Sequence, residues 1–301
     1  MKVVVTGGAG FIGSHLVDRL VEDGHHVVVI DHYAEDRQRF ENAAVTVYKI
    51  GIGDAEVNEV FAKEQPDAVF HLAAQISVTV SVADPVSDAQ TNIIDALRLL
   101  QVAKTSGVKR IVFSSSGGGI YAGYPVIPTP LVFDASPTSP YGIAKMLFED
   151  YLAISGIPFV ALRLANVYGP RQMPDGEAGV IAIMCDRLIS GKPMTIFGDG
   201  SATRDYLYVG DVVNAFMRAL VSEATGIVNI GTGVETSVNA VWKTVCNIHG
   251  MQVDAQYAPV RLGEVMRSAI DASSSARIGW KPTVTIEEGL KKTYDWFTTI
   301  S

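Results

Sequence analysis

Short valine-rich runs closed by glycine or polar residues alternate, through the first half of the chain, with longer stretches whose apolar residues fall three and four apart. "KVVVT" (2–6) is followed, past several glycines, by Phe11, Ile12, Leu16 and Leu20 at helical spacing, which predicts strand, turn and helix. Further strands are predicted at "HHVVVID" (25–31), "VTVYKI" (45–50), "DAVFHLAA" (67–74), "KRIVFSSS" (109–116) and "PFVALRLANVYG" (158–169), with helices over 56–65, 88–107 and 141–155. Continuously apolar strands alternating with helices imply an α/β fold: a doubly wound, mostly parallel sheet covered on both faces. Beyond Gly169 the texture shifts to Gly- and Pro-punctuated pieces with short strands such as "PMTIFG", so residues 169–301 are expected to form a smaller C-terminal substrate-binding lobe. Residues 1–168 form the main domain, with segments at about 205–232 returning to it.

Composition agrees with one large unit and a smaller lobe, since 301 residues at 48% hydrophobic content can bury a large core. Lys and Arg number 24 against 32 Asp and Glu, a net charge of -8, which disfavours nucleic acid and anionic membrane as partners. Cys185 and Cys246 have neither metal-ligand spacing nor companion histidines, so no metal is expected and both read as buried thiols in a reducing compartment. The chain opens directly on a strand and "AGVIAIM" is too short to span a bilayer, so a cytoplasmic protein is expected.

Candidate chemistry begins at "TGGAGFIGS", which sets Gly7, Gly10 and Gly13 three apart between the first strand and first helix. Glycine permits the tight turn and close approach of a pyrophosphate, and the helix N-terminus offers free N–H groups to it. The second strand ends on Asp31, placed to accept from the adenosine ribose hydroxyls and to repel a 2'-phosphate. NAD is therefore expected over NADP, with Arg37 and Arg39 as the counter-signal. Asp54 stands either to reach the adenine or to close a turn.

In "SPYGIAKMLFED", Tyr141 and Lys145 lie one helical turn apart, so the ammonium is near the phenol or near a ribose that both contact. A tyrosine base working near neutrality needs its anion stabilised by roughly 4 kcal/mol, and a fixed cation together with an oxidised nicotinamide has the right sign. Upstream, the strand ending "SSSGGG" exposes Ser114, Ser115 and Ser116 where an open parallel sheet binds ligands.

These motifs, with "HLAAQ", "RLANVYGPRQ", "IFGDGSATRDYLYVGDV", "NIGTG" and "RLGEVMRSAIDASSSARIGWKP", make the chain resemble the extended short-chain dehydrogenase/reductases, and among them the nucleotide-sugar 4-epimerases of the UDP-glucose/UDP-galactose type. The resemblance implies a Rossmann domain and NAD. It makes Tyr141 the general base, Lys145 its electrostatic partner and ribose ligand, and Ser116, 25 residues before Tyr141, the hydroxyl on the substrate oxygen, with Ser115 in contention because the loop is slightly longer than the shorter family version. Gly7, Gly10, Phe11, Ile12, Gly13 and Asp31 match the cofactor turn, and Leu72, Ala73 and Ala74 the strand end beside the nicotinamide half; "DHYAED" departs from the usual Asp-Asn-Leu. Asn166, Arg204 and Arg261 match residues that hold the diphosphate of a UDP-sugar substrate, and Ser268 a position bordering the sugar 2-substituent, where a small residue admits an N-acetyl group. Asp205 and Asp211 read as structural acids.

The implied reaction is epimerisation at C4 through a transient 4-keto sugar. Other reactions within the resemblance are dehydration, decarboxylation and ketosugar reduction, and a different class is a non-catalytic NAD-binding regulator. Gly117 and Gly118 stand where a dehydratase carries an acidic pair. The uridine or thymidine base is not encoded in any single residue. Apolar residues on more than one face of 91–106 and 141–155 fit relatives that pair two such helices into a homodimer.

Overall fold

The computed structural model describes residues 1–32, 44–174, 179–260 and 263–300. Arg37, Arg39 and Arg261 lie outside the described residues.

In the first strand, β1 (Lys2–Thr6), Val3, Val4 and Val5 are all fully buried, which requires cover on both faces. Val3 and Val5 enter one apolar layer with Leu16 and Phe216; Val4 enters the other with Phe61, Leu99 and Phe148. The chain continues through α1 (Phe11–Glu22), β2 (His26–Ile30), β3 (Thr46–Tyr48), α2 (Glu56–Glu64), β4 (Ala68–His71), α3 (Val78–Ala83), α4 (Pro85–Ala89), α5 (Ala96–Thr105), β5 (Arg110–Ser116), α6 (Gly117–Ile120), α7 (Pro140–Ile154) and β6 (Phe159–Leu164). With Gly226–Ile230 these strands form, among the described residues, a seven-stranded sheet ordered 226–230, β6, β5, β4, β1, β2, β3, parallel throughout. This is a Rossmann sheet. Its strand order reverses at β1, with β4 on one side and β2 on the other, and a crevice opens beyond the strand ends there.

Two sequence expectations needed revision. The helix expected over 88–107 starts earlier and is interrupted: α3 and α4 precede it, Asp84 accepts from Ser87 N to cap α4, and Gln90–Asp95 widen into a π turn before α5. At that turn Asn92 Nδ2 donates to Gln75 O (2.9 Å) and to Asp88 Oδ1 (2.9 Å), polar anchoring that apolar periodicity does not register. The strand expected over 158–169 is two strands. Ala165 N donates to Ile230 O (2.9 Å), still in the main sheet, whereas Asn166 N donates to Asp205 O (2.9 Å), and 166–168 then pair in parallel with 206–208.

The chain leaves the sheet at that step to build a second core, in which α8 (Val180–Ile189) packs with α10 (Val238–His249) and α11 (Ile286–Ile300). Between them, α9 (Val209–Val221) returns to lie on α1 and on β5 and β6. Buried Asp211 on α9 accepts from Thr283 N, Thr283 Oγ1 and Val284 N, and buried Asp205 accepts from Thr232, Gly233 and Ile270. These carboxylates staple the late segments to the sheet end. Cys185 and Cys246 are buried free thiols, and among the described residues no helix is long and apolar enough to cross a membrane.

Candidate active site

The ends of β1, β4 and β5 and the start of α1 border a cleft of about 990 Å³. Gly7, Gly10, Phe11, Ile12, Gly13, Asp31, Asp54, Leu72, Ala73, Ala74, Ser114, Ser115, Ser116, Tyr141 and Lys145 all line it. Gly7 has φ 70, and a Cβ there would lie 2.7 Å from Ala73 N, while a Cβ on Gly13 would lie 2.1 Å from Gly7 O. The turn therefore closes on the end of β4 and on its own helix only if both are glycine. No side chain caps α1 at Gly10, and its first turn lines the cleft. Asp31 Oδ2 accepts from Ala9 N (2.8 Å), which fixes the carboxylate beside the turn. A backbone cradle, an uncapped helix N-terminus and an acid at the end of β2 suit a dinucleotide. Asp54 Oδ2 accepts from Gly51 N (2.7 Å), so it closes a turn while also lining the cleft.

At the other end, the edge of β5 meets one face of α7. The Ser116 hydroxyl caps α6, accepting from Gly119 N (3.0 Å), and lies beside the Tyr141 phenol, on the same side of Gly119 as the Tyr141 ring. The Ser115 hydroxyl points elsewhere, donating to Glu149 Oε1 at 2.5 Å. Geometry thus separates the two serines that the sequence left open: Ser116 is beside the phenol. Lys145 Nζ donates to Ser114 O (3.0 Å) and lies 4.8 Å from the Phe113 ring centre and 5.8 Å from that of Tyr141. The glycines after the serines have a steric reason: a Cβ on Gly119 would sit 3.0 Å from Tyr141 Cε1, and one on Gly142 2.4 Å from Gly119 O.

Enclosure raises the Tyr141 pKa, the Ser116 hydrogen bond lowers it, and the Asp88 charge raises it again. Burial brings the Lys145 amine down to about 8, opposed by the negative charges of Asp88 and Glu149. The phenol thus holds its proton in the protein alone, and a further positive charge in the cleft would favour its ionisation. Behind this pair lies His71, buried and stacked on Phe113, with Nδ1 sharing a 2.8 Å hydrogen bond with Thr6 Oγ1. Burial, then the Lys145 charge, drives its pKa to about 3.

Asn166, Arg204 and Ser268 do not line this cleft. Asn166 is exposed, its Oδ1 3.8 Å from where a Cβ on Gly118 would stand. Arg204 Nη2 donates to Glu264 Oε1 (2.5 Å), and Thr203 N donates to Met266 O (2.8 Å), which draws the segment carrying half-buried Ser268 alongside Arg204. The sequence reading missed Gln75 and Gln172, which line the cleft, and Asp88 and Asn92, which hydrogen bond Gln75 and each other. "DP" at 84–85 was the available signal for an earlier helix start. Glu149, four residues past Lys145, was also passed over.

Residues 3–231 match the NAD dependent epimerase/dehydratase family. The chain is 42% identical to the UDP-glucose 4-epimerase of Mycolicibacterium smegmatis, over 99% of this chain and 98% of that one. The crystal structure of UDP-glucose 4-epimerase from Thermotoga maritima with UDP-glucose superposes with a TM-score of 0.96 at 45% identity, covering 100% and 99% of the two chains. The Thermus thermophilus UDP-glucose 4-epimerase complex with NAD gives 0.93 at 40% identity, covering 99% of each.

The His71 environment has a measurable consequence. The folded imidazole stays neutral while the unfolded one gains a proton below about pH 6.5, so stability falls as pH drops from 6.5 toward 3. In urea melts, His71→Gln should reduce the stability difference between pH 7 and pH 5 by about 2 kcal/mol; an unchanged difference would show that His71 takes up protons in the folded state.

Proposed function

The chain belongs to the NAD dependent epimerase/dehydratase family, and on that premise we propose that it interconverts the C4 epimers of a UDP-sugar as an NAD-dependent isomerase working through a transient 4-keto sugar. The observation that carries the reading is the convergence, on one cleft, of a glycine cradle for a dinucleotide with the Ser116, Tyr141 and Lys145 group. Gly7, Gly10, Phe11, Ile12 and Gly13 hold the pyrophosphate, Asp31 the adenosine ribose, Asp54 the adenine side, and Leu72, Ala73, Ala74 and Ser114 the nicotinamide half. NAD bound there would supply the hydride acceptor for the C4 hydrogen and its donor on return.

Tyr141 removes the proton of the sugar 4-hydroxyl, and Ser116 hydrogen bonds the same oxygen as it becomes a carbonyl. Lys145 contributes the fixed positive charge that favours the phenolate and reaches the nicotinamide ribose. Inversion requires the ketone to present its other face, so the nucleotide must be gripped while the ring turns. Asn166, Arg204 and Arg261 provide that grip on the diphosphate, arginine being suited to it by its planar, permanently charged fork. Residues 1–168, with 205–232 returning to them, carry the cofactor, and 169–301 carry the nucleotide sugar. Gly117 and Gly118 place no acid beside C5 and C6, which disfavours dehydration.

The substrates are UDP-glucose and UDP-galactose, with UDP-N-acetylglucosamine also accepted beside Ser268. The protein acts as a cytoplasmic homodimer through the helical segment containing Ile94 and through α7, where Ile143, Tyr151 and Ile154 are exposed. Sedimentation velocity should report a dimer, and a monomer at micromolar concentration would count against this pairing.

Purified protein should retain NAD and convert UDP-galactose to UDP-glucose. Tyr141→Phe should keep the NAD but lower kcat about 1000-fold; a fully active variant would remove the proposed base. Ser268→Tyr should abolish turnover of UDP-N-acetylglucosamine while sparing UDP-glucose, and equal loss of both would argue against a pocket for the 2-substituent at that residue.

A further inference from the structure

Tyr141, Lys145 and Glu149 recur every four residues along α7, so they share one helix face. Each meets a different serine of the β5 edge. Tyr141 lies beside the Ser116 hydroxyl, Lys145 Nζ donates to Ser114 O, and Glu149 Oε1 accepts from the Ser115 hydroxyl. The first two rungs belong to the proposed chemistry; the third has no assigned part in it. Glu149 is 1% exposed and faces equally buried Arg163 of β6, whose Nε donates to Oε1 (3.0 Å) and Oε2 (3.2 Å) and whose Nη2 donates to Oε2 (2.6 Å). From there Arg163 Nη1 donates to Tyr121 Oη (2.8 Å), Tyr121 Oη to Asn229 Oδ1 (2.8 Å), and Asn229 Nδ2 to Asp271 O (3.1 Å). The chain of polar contacts thus runs from behind the serines to the segment just past Ser268.

We propose that Glu149 is a positioning residue for proton transfer: anchored by Arg163, it fixes the β5 edge through Ser115 and, one helical turn past Lys145, adds its negative charge to that of Asp88 in keeping the ammonium protonated. The proposal rests on the roles given above to Tyr141 and Lys145. Packing alone gives no reason for charge at this place, because a buried ion pair is on balance no more stabilising than apolar side chains of similar volume. Lys145 does give a reason, since its burial must be offset. The groups facing it are Tyr141 and Glu149 on its own helix, Asp88 from α4 and neutral His71 from β4, with Arg163 of β6 behind Glu149. Asp88, the stronger of the two opposing charges, is held by Gln75 Nε2 (2.8 Å) and Asn92 Nδ2 (2.9 Å), and Glu149 is the second carboxylate opposing desolvation of the amine.

The test uses NAD-loaded protein carrying Glu149→Gln, and in parallel the double variant Glu149→Leu with Arg163→Met, which removes the whole pair and guards against misfolding around an unpaired arginine. In Glu149→Gln the Lys145 titration, followed by NMR of 13C-labelled lysine, should move about one pH unit lower, and in the double variant, which also removes the Arg163 charge, it should move in the same direction by less. The alkaline limb of kcat/KM for UDP-galactose should move with it, and kcat above neutral pH should fall about tenfold with KM unchanged. A purely structural pair would lower the folded fraction and leave both pH readouts in place. An unmoved titration in a folded variant overturns the proposal, as does an unmoved limb beside a shifted titration; failure of both variants to fold makes the pair a stability element and overturns it equally. The titration is read whether or not sugar is turned over, so an inactive wild type with a shifted titration defeats the epimerase reading and leaves the electrostatic role of Glu149 standing.

Discussion

A lysine ammonium enclosed at the end of a parallel sheet is costly to keep charged, and much of the site is arranged around that cost. Lys145 has a backbone carbonyl to bind, an aromatic face on two sides, and carboxylates at Asp88 and Glu149 to oppose its desolvation. Each of those partners is itself tied down. Asp88 is held by amides of Gln75 and Asn92, and Glu149 by Arg163 and Ser115. Burial brings the amine down to about 8 and raises the phenol above its ordinary value, so an added positive charge in the cleft would favour the phenolate.

The second constraint is the close approach of backbones. The turn after β1 nearly touches the end of β4, and Gly119, after β5, together with Gly142 of α7 lets the start of α7 come against the segment that follows the serines. Side chains at either place would push the cofactor cradle and the phenol apart. The same glycines therefore set the distance across which the proposed hydride and proton transfers must be coordinated, a distance that tolerates little error.

Between Ala165 and Asn166 the chain changes from one sheet to another, and from this step it builds a second core beside the Rossmann sheet. Because α9 and strand Gly226–Ile230 return to the first sheet, the second lobe is bound to it by several crossings. Asp205 reinforces the joint by accepting from the 232–233 loop and from Ile270, and it adjoins Arg204. A residue proposed to grip the diphosphate is thus fixed relative to the cleft.

The sequence by itself determined the alternation of strands and helices, the glycine turn, the acid closing the second strand and the Tyr141, Lys145 spacing, because each is local: a period, a turn requirement, or one helical pitch. It did not reveal the π turn at Gln90–Asp95 or the break after Leu164, since both arise where a backbone group finds a partner 17 or more residues away. Which of Ser115 and Ser116 faces the phenol also escaped it, as adjacent strand residues point to opposite sides and only the packing of α7 and β6 says which side is which. The Glu149 and Arg163 pair is the clearest case. Fourteen residues separate them in the chain, and two charges in an apolar helix and an apolar strand acquire meaning only when the tertiary structure buries them face to face.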